Sequence, residues 1–443
     1  MFDHRTLMKL WNPKLWNPRL AGSFYVAGVL LIHSLVIWNA RDLILKGYPD
    51  FTIYYTAGTM VRQGMAHEIY DDVKQFEVQK QFAPQVATRL GALPFNHPPF
   101  EALLFVPFAY FPYRVAYLMW TLVNLAMLAA LPLILRPHIP VLTVLPAPAW
   151  TLISLAFFPI FFALLQGQDA ILLMFLYALA FGALKKNRLT SAGAWLACGL
   201  FKFHLVLPFL FLLLTQHRAF QQRKRILGGF VLVGALLGLV SFAAVGVGQM
   251  MVYPRYVLGL EATMAKGAIM PSDMPNLRGV LYLIASRMHY FDLLVLALSG
   301  VLFLTATWIC HSEGEASAWS ADEGARDDLN FALAVLVTVL VSYHGLGYDL
   351  CILSLPLLLL TGWIKAGSVR ASPREERTSR TWTRPTVIAG TAILLFSPLQ
   401  LVLLMRYNRL ALLGWAVLFC FVGLAGQLWP RAQPLAVQDL ARK

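Results

Sequence analysis

The chain has 443 residues, of which 58% are hydrophobic and only 13% are charged. A soluble domain usually runs near a quarter charged and under half apolar, so a water-soluble reading is excluded. Disorder fails on the same numbers, and four cysteines in this length cannot staple a secreted scaffold. The net charge of +14 would point to nucleic acid in a soluble protein. Here the basic residues fall in short clusters between apolar runs, which is how topology signals look, and no nucleic-acid motif accompanies them. Cys198, Cys310, Cys351 and Cys420 lie in or at the ends of apolar runs and read as small hydrophobes. The class that remains is a polytopic membrane protein.

In chain order, residues 1–20 are basic and aromatic and carry a tandem Lys-Leu-Trp-Asn-Pro repeat at 9–13 and 14–18. Trp beside Lys suits a cytoplasmic interfacial segment. A first span follows from Ala21 to about Ala40, read as retained because no convincing cleavage site follows it. Residues 41–97 then form a long, polar first loop. Further apolar runs cover 98–135, 141–165, 168–184, 190–214, 226–248, 289–309, 329–345, 350–364, 386–405 and 410–429.

Basic clusters at Lys185–Arg188, Arg218–Arg225 and Lys365–Arg384 place those segments in the cytoplasm. The loops 41–97 and 250–288 then face outward, and 311–328 and 366–384 are cytoplasmic connectors. Run 190–214 is too short for two full crossings, which predicts two short helices meeting around Phe201–His204. Pro107 and Pro112 predict a break in 98–135. Broken backbone at membrane depth needs protein or a wet cavity around it, so a cavity opening outward is expected. The fold class is all-α, one membrane domain of about eleven to thirteen helices, with short juxtamembrane helices in the first loop.

The candidate chemistry sits in the polar exceptions. Asp50 precedes Tyr54, Tyr55, Thr59 and Arg62 at helical spacing. It reads either as an N-cap or as a desolvated general base, and both can hold together. His97 enters the next helix through Pro98 and Pro99. Lys202 is an ammonium inside an apolar run, a functional-site hypothesis by default, with a phosphate as a fitting partner. The turn Ser342–Asp349 gathers His344, Asp349, two tyrosines and two glycines, and Arg278 marks a further outward polar patch. P-loop, H-E-x-x-H and G-x-S-x-G patterns are absent. Asp50, Asp71 and Asp72 have no spacing that demands a metal, and a divalent cation is left open.

Five segments in order carry a family resemblance: Asp50–Tyr55 with Gly64 and Ile69-Tyr70-Asp71; His97-Pro98-Pro99 with Pro107; Gln166-Gly167-Gln168-Asp169; Ala192-Gly193 through Lys202; and Ser342–Asp349 before Leu355-Pro356. The chain resembles glycosyltransferase family 87, polytopic enzymes of the GT-C fold that include polyprenol-phosphate-mannose-dependent mannosyltransferases. The resemblance implies a hexose, mannose among them, moved with inversion from a polyprenyl-phosphate donor to a lipid or glycan acceptor. It implies a multi-pass protein of the plasma membrane, its site on the outer face, and no nucleic-acid partner. Asp50 would be the general base; Lys202, His344 and Arg278 would meet the donor phosphate; Tyr54, His97, Gln168 and Asp349 would line the substrate site. The sequence departs from the family at Asp169, where Asn is common; the extra carboxylate changes acceptor contacts or caps the next helix. The competing reading is a transporter or lipid flippase, which broken helices and Lys202 also suit; against it, no internal repeat extends beyond the N-terminal tandem.

Overall fold

The computed structural model describes residues 17–84, 93–216, 220–262, 270–312, 323–370 and 381–429. Most of the N-terminal tandem repeat and much of the two connectors at 311–328 and 366–384 lie outside these residues. Among the described residues every regular element is helical.

Helix α1 (Pro18–Leu45) leads into three short helices, α2 (Phe51–Arg62), α3 (Asp72–Phe82) and α4 (Pro99–Phe105). Pro107 and Pro112 flank a single 3-10 turn, after which α5 (Tyr113–Leu135) runs for 23 residues. Thus the break expected in 98–135 leaves one short helix and one long one. Then come α6 (Ala147–Ala156), α7 (Phe158–Gln166), α8 (Ala170–Lys185), α9 (Leu189–Cys198) and α10 (Phe203–Thr215). The chain closes with α11 (Phe220–Ala262), α12 (Leu277–Ala285), α13 (Phe291–Ser312), α14 (Glu323–Val341), α15 (Ser354–Arg370), α16 (Thr383–Leu395), α17 (Ser397–Val402) and α18 (Leu413–Leu428).

Six of the described helical stretches are long and apolar enough to cross a membrane, and three bent pairs raise the number to nine. The bent pairs are α6 with α7 (76°), α9 with α10 (61°) and α16 with α17 (60°). Each break has a local cause. Pro159 follows the α6–α7 joint and Pro398 the α16–α17 joint, where each ring fits the first turn of a new helix but could not continue the old one. In α9, Gly199 ends the helix. Two further helices run beside these in the core. The apolar α8 is 16 residues long, and α14 opens on charged residues. With these two, each of the eleven apolar runs of the sequence is met by a helix or a bent pair of helices among the described residues.

Burial divides the bundle into layers. The long helices α1, α11 and α13 keep most of their apolar side chains exposed, as a lipid-facing wall does. In contrast α8 is buried on all sides, packed with α14, α15 and α18 into the main core. A second core is strongly aromatic. Phe51, Tyr54, Phe105, Tyr113, Tyr117 and Trp120 interlock there and hold α2 and α4 against α5. Aromatic pairs in edge and offset geometry add to burial, so α2 and α4 are held firmly although neither is long enough to span a membrane.

The tightest crossing joins α9 to α11. A side chain at Gly193 would meet the Ile226 carbonyl directly, and one at Gly229 the Thr190 carbonyl. Small residues on both faces let the backbones touch, the usual device of helix pairs in lipid. Gly193→Val is therefore expected to lower Tm strongly or stop accumulation, with a cost of about 3 kcal/mol or more from overpacking against backbone. Thermal unfolding in one detergent checks it, and an unchanged Tm would contradict the crossing.

Candidate active site

The site is built on the stub between α1 and α2. Gly47, at φ 87°, turns the chain after α1 and Pro49 delivers Asp50 to the start of α2. Asp50 stands at the N-cap position, yet its carboxylate makes no capping bond. Oδ2 instead accepts from Gln168 Nε2 at 2.7 Å, and the Asp50 backbone N–H donates to Gln166 Oε1 at 3.2 Å. Gln168 Oε1 in turn accepts from the Tyr54 hydroxyl at 2.7 Å. The base reading and the cap reading are thus separated by geometry, because the carboxylate is aimed at the Gln166–Asp169 turn and not along its own helix.

That turn is held from three sides. Gly167 sits at φ 63°, where a side chain would be strained, and an added Cβ would lie 2.7 Å from Phe51 Cβ. Trp120 Nε1 donates to the Gly167 carbonyl at 3.0 Å and the Tyr117 hydroxyl to that of Leu164 at 2.9 Å. Tyr54 is fully buried and Gln168 is 2% exposed, while Asp50 is half-buried. Asp50 is therefore the member of this trio that a ligand can reach, and Tyr54 and Gln168, expected to line the substrate, stand behind it. Gln168→Leu would strand the buried Tyr54 hydroxyl and is expected to cost about 1–3 kcal/mol. Adding Tyr54→Phe should recover much of that loss in a double-mutant thermal-unfolding cycle; equal Tm for Gln168→Leu and wild type would contradict the bond.

A charged chain continues from the same turn. Asp169 begins α8 but makes no capping bond. Its Oδ1 lies 2.9 Å from Lys202 Nζ, which also reaches Asp349 Oδ1 at 2.7 Å and sits 5.0 Å from the centre of the Tyr348 ring. Lys202 is 4% exposed, at the joint of α9 and α10. It does not snorkel to an interface; it is locked between two carboxylates. Asp349 Oδ2 accepts from the Leu346 N–H at 2.8 Å, which fixes the 342–349 turn. Tyr348 lies within electrostatic range of Asp50, Asp169 and Asp349, which links the two halves of the site.

His97 closes the chain. Its Nδ1 is 2.7 Å from Glu101 Oε2 and 3.7 Å from Asp169 Oδ2, and its ring meets Tyr54 edge-on at 5.1 Å. Burial pulls the imidazole down, but Glu101 and Asp169 beside it hold its pKa above the ordinary value. Burial pushes the Glu101 carboxyl up to about 7 although His97 opposes the shift. Glu101 was not among the sequence candidates. Two signals marked it: a carboxylate inside the apolar run of α4, and an i,i+4 spacing to His97.

The remaining candidates gather on the 342–349 turn. Asn276 caps α12 and donates from Nδ2 to the Ser342 carbonyl at 2.7 Å. Arg278 is 2% exposed; its Nη1 donates to the Tyr343 carbonyl at 3.1 Å and its guanidinium lies 3.8 Å from the centre of the Tyr343 ring. His344 faces His204 with ring centres 5.8 Å apart, and His204 lies within electrostatic range of Lys202 and His97. The structure thus brings Asp50, Tyr54, His97, Gln168, Lys202 and Asp349 into one connected cluster. His344 borders it through His204, and Arg278 braces the turn through Tyr343.

A family model described as glycosyltransferase family 87 matches residues 95–342, more than half of the chain. The match contains His97, Glu101, Gln168, Asp169, Lys202 and Arg278, while Asp50, His344 and Asp349 lie outside it. No curated protein and no solved structure matches the chain.

Proposed function

Because the chain belongs to glycosyltransferase family 87, and is thereby a membrane glycosyltransferase, we propose that it moves a hexose from a polyprenyl-phosphate donor to a lipid or glycan acceptor. Mannose is the first sugar to try. The reaction runs at the extracytoplasmic face of the plasma membrane and inverts the anomeric centre. The observation that supports this reading is the half-buried Asp50 carboxylate, held by Gln168 at the rim of an otherwise buried charged cluster.

In this reading Asp50 accepts the proton of the acceptor hydroxyl. The acceptor oxygen bonds to the anomeric carbon as the carbon–phosphate oxygen bond breaks, and that electron pair leaves with the lipid phosphate. The sugar passes through an oxocarbenium-like state, so stabilising the departing phosphate matters as much as the base. Lys202 already faces two carboxylates, which offset its charge. His344 and Arg278 supply positive or donor groups on the neighbouring turn. Lys202 serves this site by holding Asp169 and Asp349 together and by lending its field to the cluster.

The test compares donors. Membranes containing the full chain are given labelled polyprenyl-phosphate hexoses or the corresponding nucleotide sugars, with extracted lipids as acceptors. The expected result is a glycosylated product from the lipid-linked donor alone. Transfer from the nucleotide sugar, or uptake into sealed vesicles with no covalent product, would overturn the reading, the second outcome in favour of a transporter.

A further inference from the structure

One group of side chains in the cluster touches no reacting atom in the transfer proposed above. His97, Glu101 and Asp169 each offer one donor atom, and the three atoms lie within 4.8 Å of one another. Glu101 is 1% exposed and Asp169 is fully buried. Glu101 Oε2 meets His97 Nδ1 at 2.7 Å and Asp169 Oδ1 meets the Lys202 ammonium at 2.9 Å, while Glu101 Oε1 has no donor and Asp169 Oδ2 has His97 only at 3.7 Å. Buried carboxylate oxygens without hydrogen bonds are rare, and two such groups side by side repel.

With Glu101, Asp169 and Asp349 ionised, the charged forms of Lys202 and His97 still leave one negative charge over. A divalent cation that displaces the His97 proton brings the cluster to neutrality. The separations suit it as well. Two donors about 2.1 Å from a tetrahedral metal lie roughly 3.4 Å apart, and the observed 2.7 and 3.7 Å from His97 Nδ1 bracket that value. Lys202 occupies Oδ1 of Asp169 and leaves Oδ2 turned to His97. The His97 side chain is 13% exposed, which gives the ion a route in.

We propose that His97, Glu101 and Asp169 bind one divalent first-row transition-metal ion. One imidazole nitrogen and two carboxylate oxygens suit Zn²⁺ or Mn²⁺ better than Ca²⁺ or Mg²⁺, which prefer all-oxygen shells. The ion ties α4 to the Gln166–Asp169 turn and so holds the same turn that presents Gln168 to Asp50. Lys202 is the outer-shell group that orients Asp169. The site does not depend on which sugar is moved, or on whether transfer occurs.

The experiment uses tag-free, full-length protein in detergent. It is stripped with chelator, incubated with Zn²⁺ or Mn²⁺, desalted, and assayed for bound metal by mass spectrometry and for Tm. The expected result is about one ion per chain and a raised Tm, as metal binding stabilises the folded form. His97→Ala and Glu101→Gln should each weaken binding by about tenfold or more, with Asp71→Asn, an exposed cap, as an unchanged control. No retention by wild type, or equal retention in both variants, overturns the site. Spectroscopy of Mn²⁺-loaded wild type gives a readout that no unstable variant can spoil: one imidazole nitrogen coupled to the ion supports the site, and no nitrogen coupling overturns it.

Discussion

Asp50→Asn protein is expected to accumulate normally in membranes and to transfer sugar about 10²- to 10⁴-fold more slowly, the usual loss when a general base is removed. The substitution is chosen for its mildness. An Asn oxygen can still accept from Gln168 Nε2, as Asp50 Oδ2 does now. The turn at Gly167 and the packing of Phe51 against Tyr117 are untouched by it. What disappears is the ability to take a proton. Tm and activity should therefore separate, with Tm unchanged and turnover lost. Wild-type turnover in this variant would remove Asp50 from the mechanism, and a parallel fall of Tm would show that the carboxylate matters for the fold first.

Lys202→Met should give the opposite signature, a loss of fold and activity together. The ammonium has two carboxylate neighbours at 2.7 and 2.9 Å and almost no contact with solvent. Removing one partner of a buried ion pair leaves its counter-charge stranded, which typically costs about 3–5 kcal/mol. Here two are stranded at once. Adding Asp349→Asn to Lys202→Met relieves one of them, so the double variant is expected to regain part of the lost Tm. Neighbours in one network are not additive, and the size of the recovery measures the coupling. Additive losses would mean that Lys202 and Asp349 do not depend on each other in solution.

The comparison of sequence with structure divides by distance along the chain. The helices and two of the breaks were legible because hydrophobic runs, Pro107 and Pro112 act locally and 190–214 is too short for two crossings; the breaks beside Pro159 and Pro398 were not drawn. Asp50 and Lys202 were legible because charge is rare in an apolar chain and its survival demands a reason. Their partners were not. Gln168 meets Asp50 across 118 residues and Asp349 meets Lys202 across 147. No periodicity reports a contact of that range. The resemblance put Tyr54 and Gln168 at the substrate site; the structure buries both behind Asp50, Tyr54 in the aromatic core with Phe105 and Gln168 bonded to its hydroxyl. Glu101 carried the same mark as Lys202, a lone charge in an apolar run, but its pairing with His97 shows only once α4 is known to begin at Pro99, and its approach to Asp169 is long-range.

The bent pair α6–α7 has a consequence for the helix that covers it. Its halves have ten and nine residues and meet at 76°. At 1.5 Å per residue each is roughly 15 Å long, about half the 30 Å depth of a bilayer's hydrocarbon. The neighbouring α5, with 23 residues, matches the full depth. Yet α7 has no exposed residue, and α1 lies across the pair with His33 stacked on Phe161 at 3.9 Å. What the lipid meets on that side is the 28-residue α1, long enough for the full depth, and the half-depth pair leaves no notch for lipid to fill. Shortening α1, and not a change of lipid chain length, is what would expose the mismatch.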